Sequence, residues 1–126
     1  ISRRSARIMA CFLQKSRDRY SYYFSVIKSY VDKNFCNPDI SLATVAEEFG
    51  FSAAYVSKIF TGSGNISYSD YINSLRIEKA KIMLEETDLS VNAIASRCGV
   101  LSPVTFRRIF KKYTNMLPGE YRESIK

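Results

Sequence analysis

The chain has 126 residues, 46% hydrophobic and 13% aromatic, which is enough for one compact domain or two very small ones and excludes a disordered tail. Lysine and arginine number 19 against 12 aspartate and glutamate, a net charge of +7, which favours a polyanionic partner, either nucleic acid or an acidic membrane surface. With no histidine, a His general base and a His metal ligand are both excluded, and Cys11, Cys36 and Cys98 are too scattered for a disulfide framework or a zinc site. No catalytic residue, metal site or cofactor is expected, and a reducing cytoplasm is the expected compartment.

The chain opens on Ile1 rather than Met, which predicts a piece of a longer protein with an upstream sensory or dimerisation domain. Residues 1–19 read as a linker or extension. Within them ARIMACFL follows Arg3 and Arg4 but ends at Gln14 and Lys15, well short of the roughly 20 residues a membrane span requires. It reads as linker or as a short packing helix.

The remainder, 20–126, reads as helices separated by turns. Tyr23, Val26, Ile27, Tyr30 and Val31 recur at helical spacing until Asn37-Pro38-Asp39 breaks the pattern, which predicts a first helix at about 20–36. Ser41 can cap LATVAEEF, which stops at Gly50, and Ser52 can cap AAYVSKIF, which runs into Gly62 and Gly64. These two short helices around a glycine turn make a first helix-turn-helix at 41–62. Ser67 followed by Asp70 resembles a capping box and opens a connecting helix at 67–87. Its apolar face holds Tyr68, Tyr71, Ile72, Leu75, Ile82 and Met83, extended by Ile77, Ala80 and Leu84, which predicts burial between two neighbours. Ser90 then opens VNAIASRC, Gly99 turns the chain, Ser102 caps PVTFRRIFKKY, and Pro118 starts GEYRESI, giving a second helix-turn-helix at 90–114. No segment alternates as a strand would. The expected fold is all-α: two helix-turn-helix subdomains joined by a long helix, about seven helices in total.

The two units are internal repeats. Ser52 pairs with Ser102, Ile59 with Ile109, Phe60 with Phe110, Asn65 with Asn115 and Tyr71 with Tyr121, each fifty positions apart. Before the turn the offset is forty-nine, matching Val45 with Ile94, Ala46 with Ala95 and Gly50 with Gly99, so the second turn has one extra residue. Pro103 falls at the first helical position, where its missing N–H and fixed φ suit a helix start. Phe106, Ile109, Phe110 and Tyr113 should then point inward, and Pro103, Val104, Arg107, Arg108, Lys111 and Lys112 outward. In the first unit Val56, Ile59 and Phe60 should be inward, and Ala53, Ala54, Ser57, Lys58 and Thr61 outward. A single basic helix face is ordinarily solvated surface. Two such helices on a linker of about 30 Å also suit successive major grooves, about 34 Å apart. Arg and Lys would neutralise phosphates or bond guanine, Ser and Thr would bond bases or phosphates, and Ala and Val would meet thymine methyls.

From about Tyr23 to Arg122 the chain resembles the two-unit DNA-binding domain of the AraC/XylS family of bacterial transcription regulators. The resemblance is carried by SLATVAEEFGFSAAYVSKIF, YINSLRIEKAKIML and DLSVNAIASRCGVLSPVTFRRIFKKYTNMLPGEYR, in the family's order and spacing. It implies seven helices, a cytoplasmic location and binding of double-stranded promoter DNA through the third and sixth helices, most often in an activator that contacts RNA polymerase. Its groove-facing positions map onto Ala53, Ala54, Ser57 and Lys58 and onto Pro103, Val104, Arg107 and Arg108, while Ser52 and Ser102 map to phosphate contacts. Dimerisation in the family commonly lies in the companion domain, so this chain is expected to be monomeric.

Four positions depart from the family pattern. Val100 replaces an aromatic after the turn glycine, Asn65 and Asn115 replace glycines at positions needing a left-handed backbone, and Leu117 replaces a capping serine. Thr61-Gly62-Ser63-Gly64 replaces a charged helix end, which predicts early fraying of the first recognition helix. Two rival functions can be set beside DNA binding. Catalysis would have to rest on carboxylates such as Glu47, Glu48, Glu85 and Glu86, which fall on polar faces. A protein or lipid-surface module would use the basic stretch Arg3 to Arg19, possible as a juxtamembrane tether of the full-length protein, and the aromatic run YSYYF, whose simpler reading is helix packing.

Overall fold

The computed structural model describes residues 16–126. The expectations placed on Arg3, Arg4, ARIMACFL and Cys11 lie outside that range. The described residues form seven α-helices and no strand: α1 Ser16–Asn34, α2 Leu42–Phe49, α3 Ala53–Ile59, α4 Tyr68–Glu86, α5 Val91–Arg97, α6 Pro103–Thr114 and α7 Pro118–Ser124. A π-helical turn, Phe60–Gly64, continues α3. The first helix begins four residues earlier than the apolar pattern indicated, at a polar turn that periodicity cannot detect.

The chain divides into two compact units, the first holding α1, Ile40–Tyr71 and the second Phe35–Asp39 with Ile72–Lys126. In the first unit Ile27 and Val31 of α1 are fully buried, as are Val45 of α2 and Val56 of α3. Ala46 and Ile59 are buried with them, and the rest of the core is aromatic. Tyr23 meets Phe51 edge-on at 4.8 Å between ring centroids, and Phe24 meets Phe60 at 5.4 Å. Phe60 also contacts Tyr68 at 5.6 Å. The YSYYF run is therefore packing material, with Tyr23 only 7% exposed. Edge-to-face pairs of this kind add about 0.5–1.5 kcal/mol each beyond burial.

In the second unit Ile77, Ala80 and Leu84 of α4 pack with Ile94, Ala95, Cys98 and Val100 and with Phe106, Ile109 and Phe110 of α6. Val100, in place of the expected aromatic, is buried there at 6% exposure. Segment 35–39 is held by Arg76 of α4, which donates from Nε to the Phe35 carbonyl at 2.8 Å and from Nη2 to that of Asn37 at 3.2 Å. At the other end α7 docks through Tyr121, whose ring lies 5.7 Å from Phe110 and whose hydroxyl donates to the Glu85 carboxylate at 2.5 Å.

Two expectations need correction. Ile82 is 52% exposed rather than part of the buried face of α4. The buried side of α4 changes along its length: Tyr68 serves the first unit, whereas from Ile77 onward the core side is that of Ile77, Ala80 and Leu84, and Ile82 lies about 140° around the axis from Ile77. The second correction concerns the end of α3, which does not fray at the glycines. Phe60 keeps helical backbone angles, φ −62° and ψ −49°, and the wider turn that follows ends in left-handed Asn65 at φ 55°. Phe60 is wholly buried, so the helix end is pinned by its ring among Phe24, Tyr68 and Tyr71.

Candidate nucleic-acid interface

Each helix-turn-helix is assembled from local hydrogen bonds that the sequence announces. In the first, the Thr44 N–H donates to Ser41 Oγ at 3.1 Å and the Ser41 N–H to Thr44 Oγ1 at 2.9 Å, a reciprocal cap on α2. That helix ends at Gly50, φ 75°, with the Phe51 N–H returning to the Ala46 carbonyl at 2.9 Å. Ser52 Oγ then accepts the Tyr55 N–H at 3.1 Å and opens α3. The second unit repeats the order of steps, without the reciprocal bond, since Ala93 stands where the first unit has Thr44. Ser90 Oγ accepts the Ala93 N–H at 3.1 Å, and the Val100 N–H returns to the Ala95 carbonyl at 2.9 Å. Ser102 Oγ accepts the Thr105 N–H at 3.3 Å to open α6, with Pro103 in its first turn. Every serine cap is a local bond worth about 1 kcal/mol.

Gly99 is fixed by two demands at once. Its φ is +96°, and a Cβ there would lie 2.9 Å from the carbonyl oxygens of both Phe35 and Cys36. The second turn can thus form only where the backbone of 35–36 is approached without a side chain.

Above these turns the outer faces of α3 and α6 carry the expected residues. On α3, Ala53, Ala54 and Lys58 are exposed and Ser57 is half-buried. Thr61 is exposed in the π-helical turn rather than on the α-helix, and its hydroxyl donates to the carbonyls of Ser57 and Lys58 at 3.2 Å each. On α6, Val104, Arg107, Arg108, Lys111 and Lys112 are exposed, Pro103 is half-buried, and Phe106, Ile109 and Phe110 face inward. Tyr113, expected inward, is only partly buried, and the Lys112 ammonium lies 5.6 Å from the centre of its ring. Neither helix contains an acidic residue, so each outer face is purely cationic or neutral: one lysine on α3, two arginines and two lysines on α6.

The structure adds two residues that pattern reading passed over. Arg107 Nη2 donates to Asn92 Oδ1 of α5 at 3.4 Å, tying the α6 guanidinium to the first helix of its unit. The counterparts in the first unit are Ala43 and Ser57, which are too short for such a link. Leu101 is the extra residue of the second turn and stands 67% exposed. The shift in repeat offset marked its position but not its exposure.

Among the described residues no group of His, Cys, Asp and Glu could hold a metal ion, and no helix is long and apolar enough to cross a membrane. A family model described as a helix-turn-helix domain matches residues 45–124. The HTH-type transcriptional regulator YijO of Escherichia coli K12, itself uncharacterised, is 33% identical over 108 residues, which are 86% of this chain and 38% of that protein. The chain thus spans little more than a third of that relative. The C-terminal domain of AraT, a response regulator from Geobacillus stearothermophilus, superposes with a TM-score of 0.77 at 31% identity, covering 79% of this chain and 83% of that one. The DNA-binding domain of the transcriptional factor AdpA, solved in complex with a target DNA, shares the fold at a TM-score of 0.74 and 23% identity, covering 80% of this chain and 90% of that one. With its two capped helix-turn-helix units and the match from Val45 to Ser124, the chain belongs to the AraC/XylS-type helix-turn-helix family, as a DNA-binding domain of a transcription regulator.

Proposed function

We propose that this domain reads promoter DNA in sequence by placing α3 and α6 in successive major grooves. One observation carries the reading: the same serine-capped helix, preceded by the same glycine-turned helix, occurs twice, each time with an outer face free of acidic side chains. The fold shared with a domain solved on its target DNA supports it. In this reading the helix starts at Ser52 and Ser102 hold phosphates. Arg107 and Arg108 address base edges, with guanine O6 and N7 the natural partners of a guanidinium. Lys58, Lys111 and Lys112 neutralise backbone charge, and Ala53, Ala54, Ser57, Thr61, Pro103 and Val104 supply close, small-surface contact. The full-length protein acts in the cytoplasm as an activator that meets RNA polymerase, with sensing and dimerisation in another region and this domain monomeric.

Selection of the chain on a random duplex pool, followed by titration across a salt series, tests the reading. An asymmetric site with two short blocks about one helical turn apart is expected. A single enriched block would limit sequence reading to one unit. No enrichment, with weak binding that vanishes as salt rises, would refute sequence-specific recognition and leave only a basic surface. On the selected site Arg108→Ala should relax preference at one base pair at a cost of about 1–3 kcal/mol, whereas Lys112→Ala should weaken all duplexes alike. Equal losses on every sequence for Arg108→Ala would remove it as a base reader.

A further inference from the structure

We propose that Leu101 and Val104 form an apolar contact for the C5-methyl group of thymine, so that the second unit selects a thymine next to the bases addressed by its arginines. The inference rests on the DNA-reading function proposed above and extends it from the methyl contact expected of Val104 to Leu101, a residue that function does not use.

The argument begins with the extra turn residue. In the first unit the residue between turn glycine and capping serine is Phe51, and its ring lies 4.8 Å from Tyr23 and 5.0 Å from Tyr55, inside the packing. In the second unit Val100 takes that inward place at 6% exposure, and the chain then has one residue more before Ser102. Leu101 is displaced outward and is 67% exposed. Val104, in the first turn of α6, is 73% exposed. Among the described residues these are the two most exposed of the large hydrophobic side chains, ahead of Ile82 at 52%. They flank the cap and the first helical residue, and neither belongs to the core cluster of its unit. The core of the unit therefore does not account for either side chain, and two of them flanking one cap are more than the single exposed apolar residue that any surface carries.

Charge identifies what covers them. Arg107 and Arg108 lie three and four residues beyond Val104, hence on the same side of α6, and no acidic residue occurs from Leu101 to Thr114. A surface that is cationic along one helix face and apolar at its leading end suits a polyanion that offers an apolar group within a groove. In duplex DNA that group is the thymine C5-methyl, carried in the major groove beside the acceptors read by arginine. The first unit has Ala54 opposite Val104 in the repeat and no counterpart of Leu101, so a contact built from two large apolar side chains, and the stronger methyl preference, belong to the second block.

The test uses the full chain and its selected duplex, with each thymine replaced in turn by uracil, which removes the methyl and leaves every hydrogen-bonding edge intact. Wild-type protein should lose about three- to fivefold in affinity at one or two thymines of the second block, the loss expected for leaving one buried methyl unfilled. In Leu101→Ser/Val104→Ser the thymine-to-uracil ratio at those positions should fall to one. Arg108→Ala should keep that ratio while losing preference at its own base pair. The proposal is overturned if uracil matches thymine at every position, or if the ratio persists in the double variant, as it would were Leu101 and Val104 a docking patch for another protein. A chain that shows no sequence preference on any duplex would remove the underlying DNA-reading function, an outcome separate from the loss of methyl discrimination on a well-bound site.

Discussion

Arg122 should be among the most consequential side chains of the second unit although it lies on α7, outside the faces proposed to meet DNA. From α7 its guanidinium donates to three backbone carbonyls at and beyond the end of α4: Nε to Leu84 at 3.2 Å, Nη2 to Thr87 at 3.0 Å and Nη1 to Leu89 at 2.7 Å. The last carbonyls of a helix have no partner within it, so one side chain supplies the cap that the turn lacks and places a positive charge at the negative end of the dipole. A hydrogen bond to a charged group contributes about 1.5–3 kcal/mol. Three such bonds on a half-exposed group sum to less, because water competes for the carbonyls once the side chain is gone. Arg122→Ala should therefore cost about 2–4 kcal/mol, of which about 0.3–1 kcal/mol is the dipole. Arg122→Lys keeps the charge but not the planar fork, and should lose about half as much. Urea unfolding followed by circular dichroism, at low and high salt, measures both. Salt should shrink only the dipole share. An alanine variant within about 0.5 kcal/mol of wild type, the range of an ordinary surface change, would refute the cap.

Gly99→Ala should destabilise by at least about 2 kcal/mol in the same assay, because it adds a Cβ at positive φ against two carbonyls. Gly62→Ala, in open space without a positive φ, should be neutral or stabilising by up to ~1 kcal/mol. Asn92→Ala releases the Arg107 guanidinium and should broaden base preference at one position by about threefold, with non-specific binding unchanged, as measured by competition against scrambled duplex. Burial, with Cys36 nearby, pushes the Cys98 thiol from its ordinary 9.0 up to about 11. The folded state then holds this proton more tightly than the unfolded state, so the contribution is complete below pH 9 and lost as pH rises through 11. Unfolding midpoints should fall across that interval, less steeply in Cys98→Ala. In Cys11→Ser/Cys36→Ser a thiol reagent should label Cys98 no faster than the protein unfolds.

Most of the fold was legible because its determinants are local. A serine at a helix start, a glycine at φ 75° or 96° and an asparagine at φ 55° or 63° each act through neighbours a few residues away, and each was visible as a residue type at a spacing. Tertiary choices were less visible. The π-helical turn depends on the fit of Gly64 beneath the Phe24 ring, 2.7 Å from any added Cβ, and on the burial of Phe60, contacts across more than thirty residues. Ile82 was misplaced because a single helical wheel assumes one buried side, and α4 has different ones at its two ends. Arg107 on Asn92 and Arg122 on three carbonyls are side-chain bonds between helices, for which sequence spacing carries no signal.

The repeat makes the outer faces of α3 and α6 comparable residue by residue, and, on the proposed function, the comparison argues for divided labour. The α6 face carries four cations, an orienting bond to Asn92 and two apolar side chains at its leading end; the α3 face carries Lys58 and otherwise alanine, serine and threonine. Phosphate neutralisation scales with the number of cations, so the second unit should contribute most of the affinity and most of its salt dependence. Small side chains hold few long-range charges but allow a helix to sit close to base edges, where fit discriminates more than charge does. Swapping the two outer faces would separate these properties. If α3 and the turn that continues it were given arginine at Ser57 and Lys58 and lysine at Thr61, the counterparts of Arg107, Arg108 and Lys111, the slope of affinity against salt should steepen by about two units, one for each of the two added cations, since Lys58→Arg adds none. Preference in the first block should change at the same time. A change in slope with no change in preference would mean that the first unit holds the backbone only, and that the reading of bases lies wholly with α6.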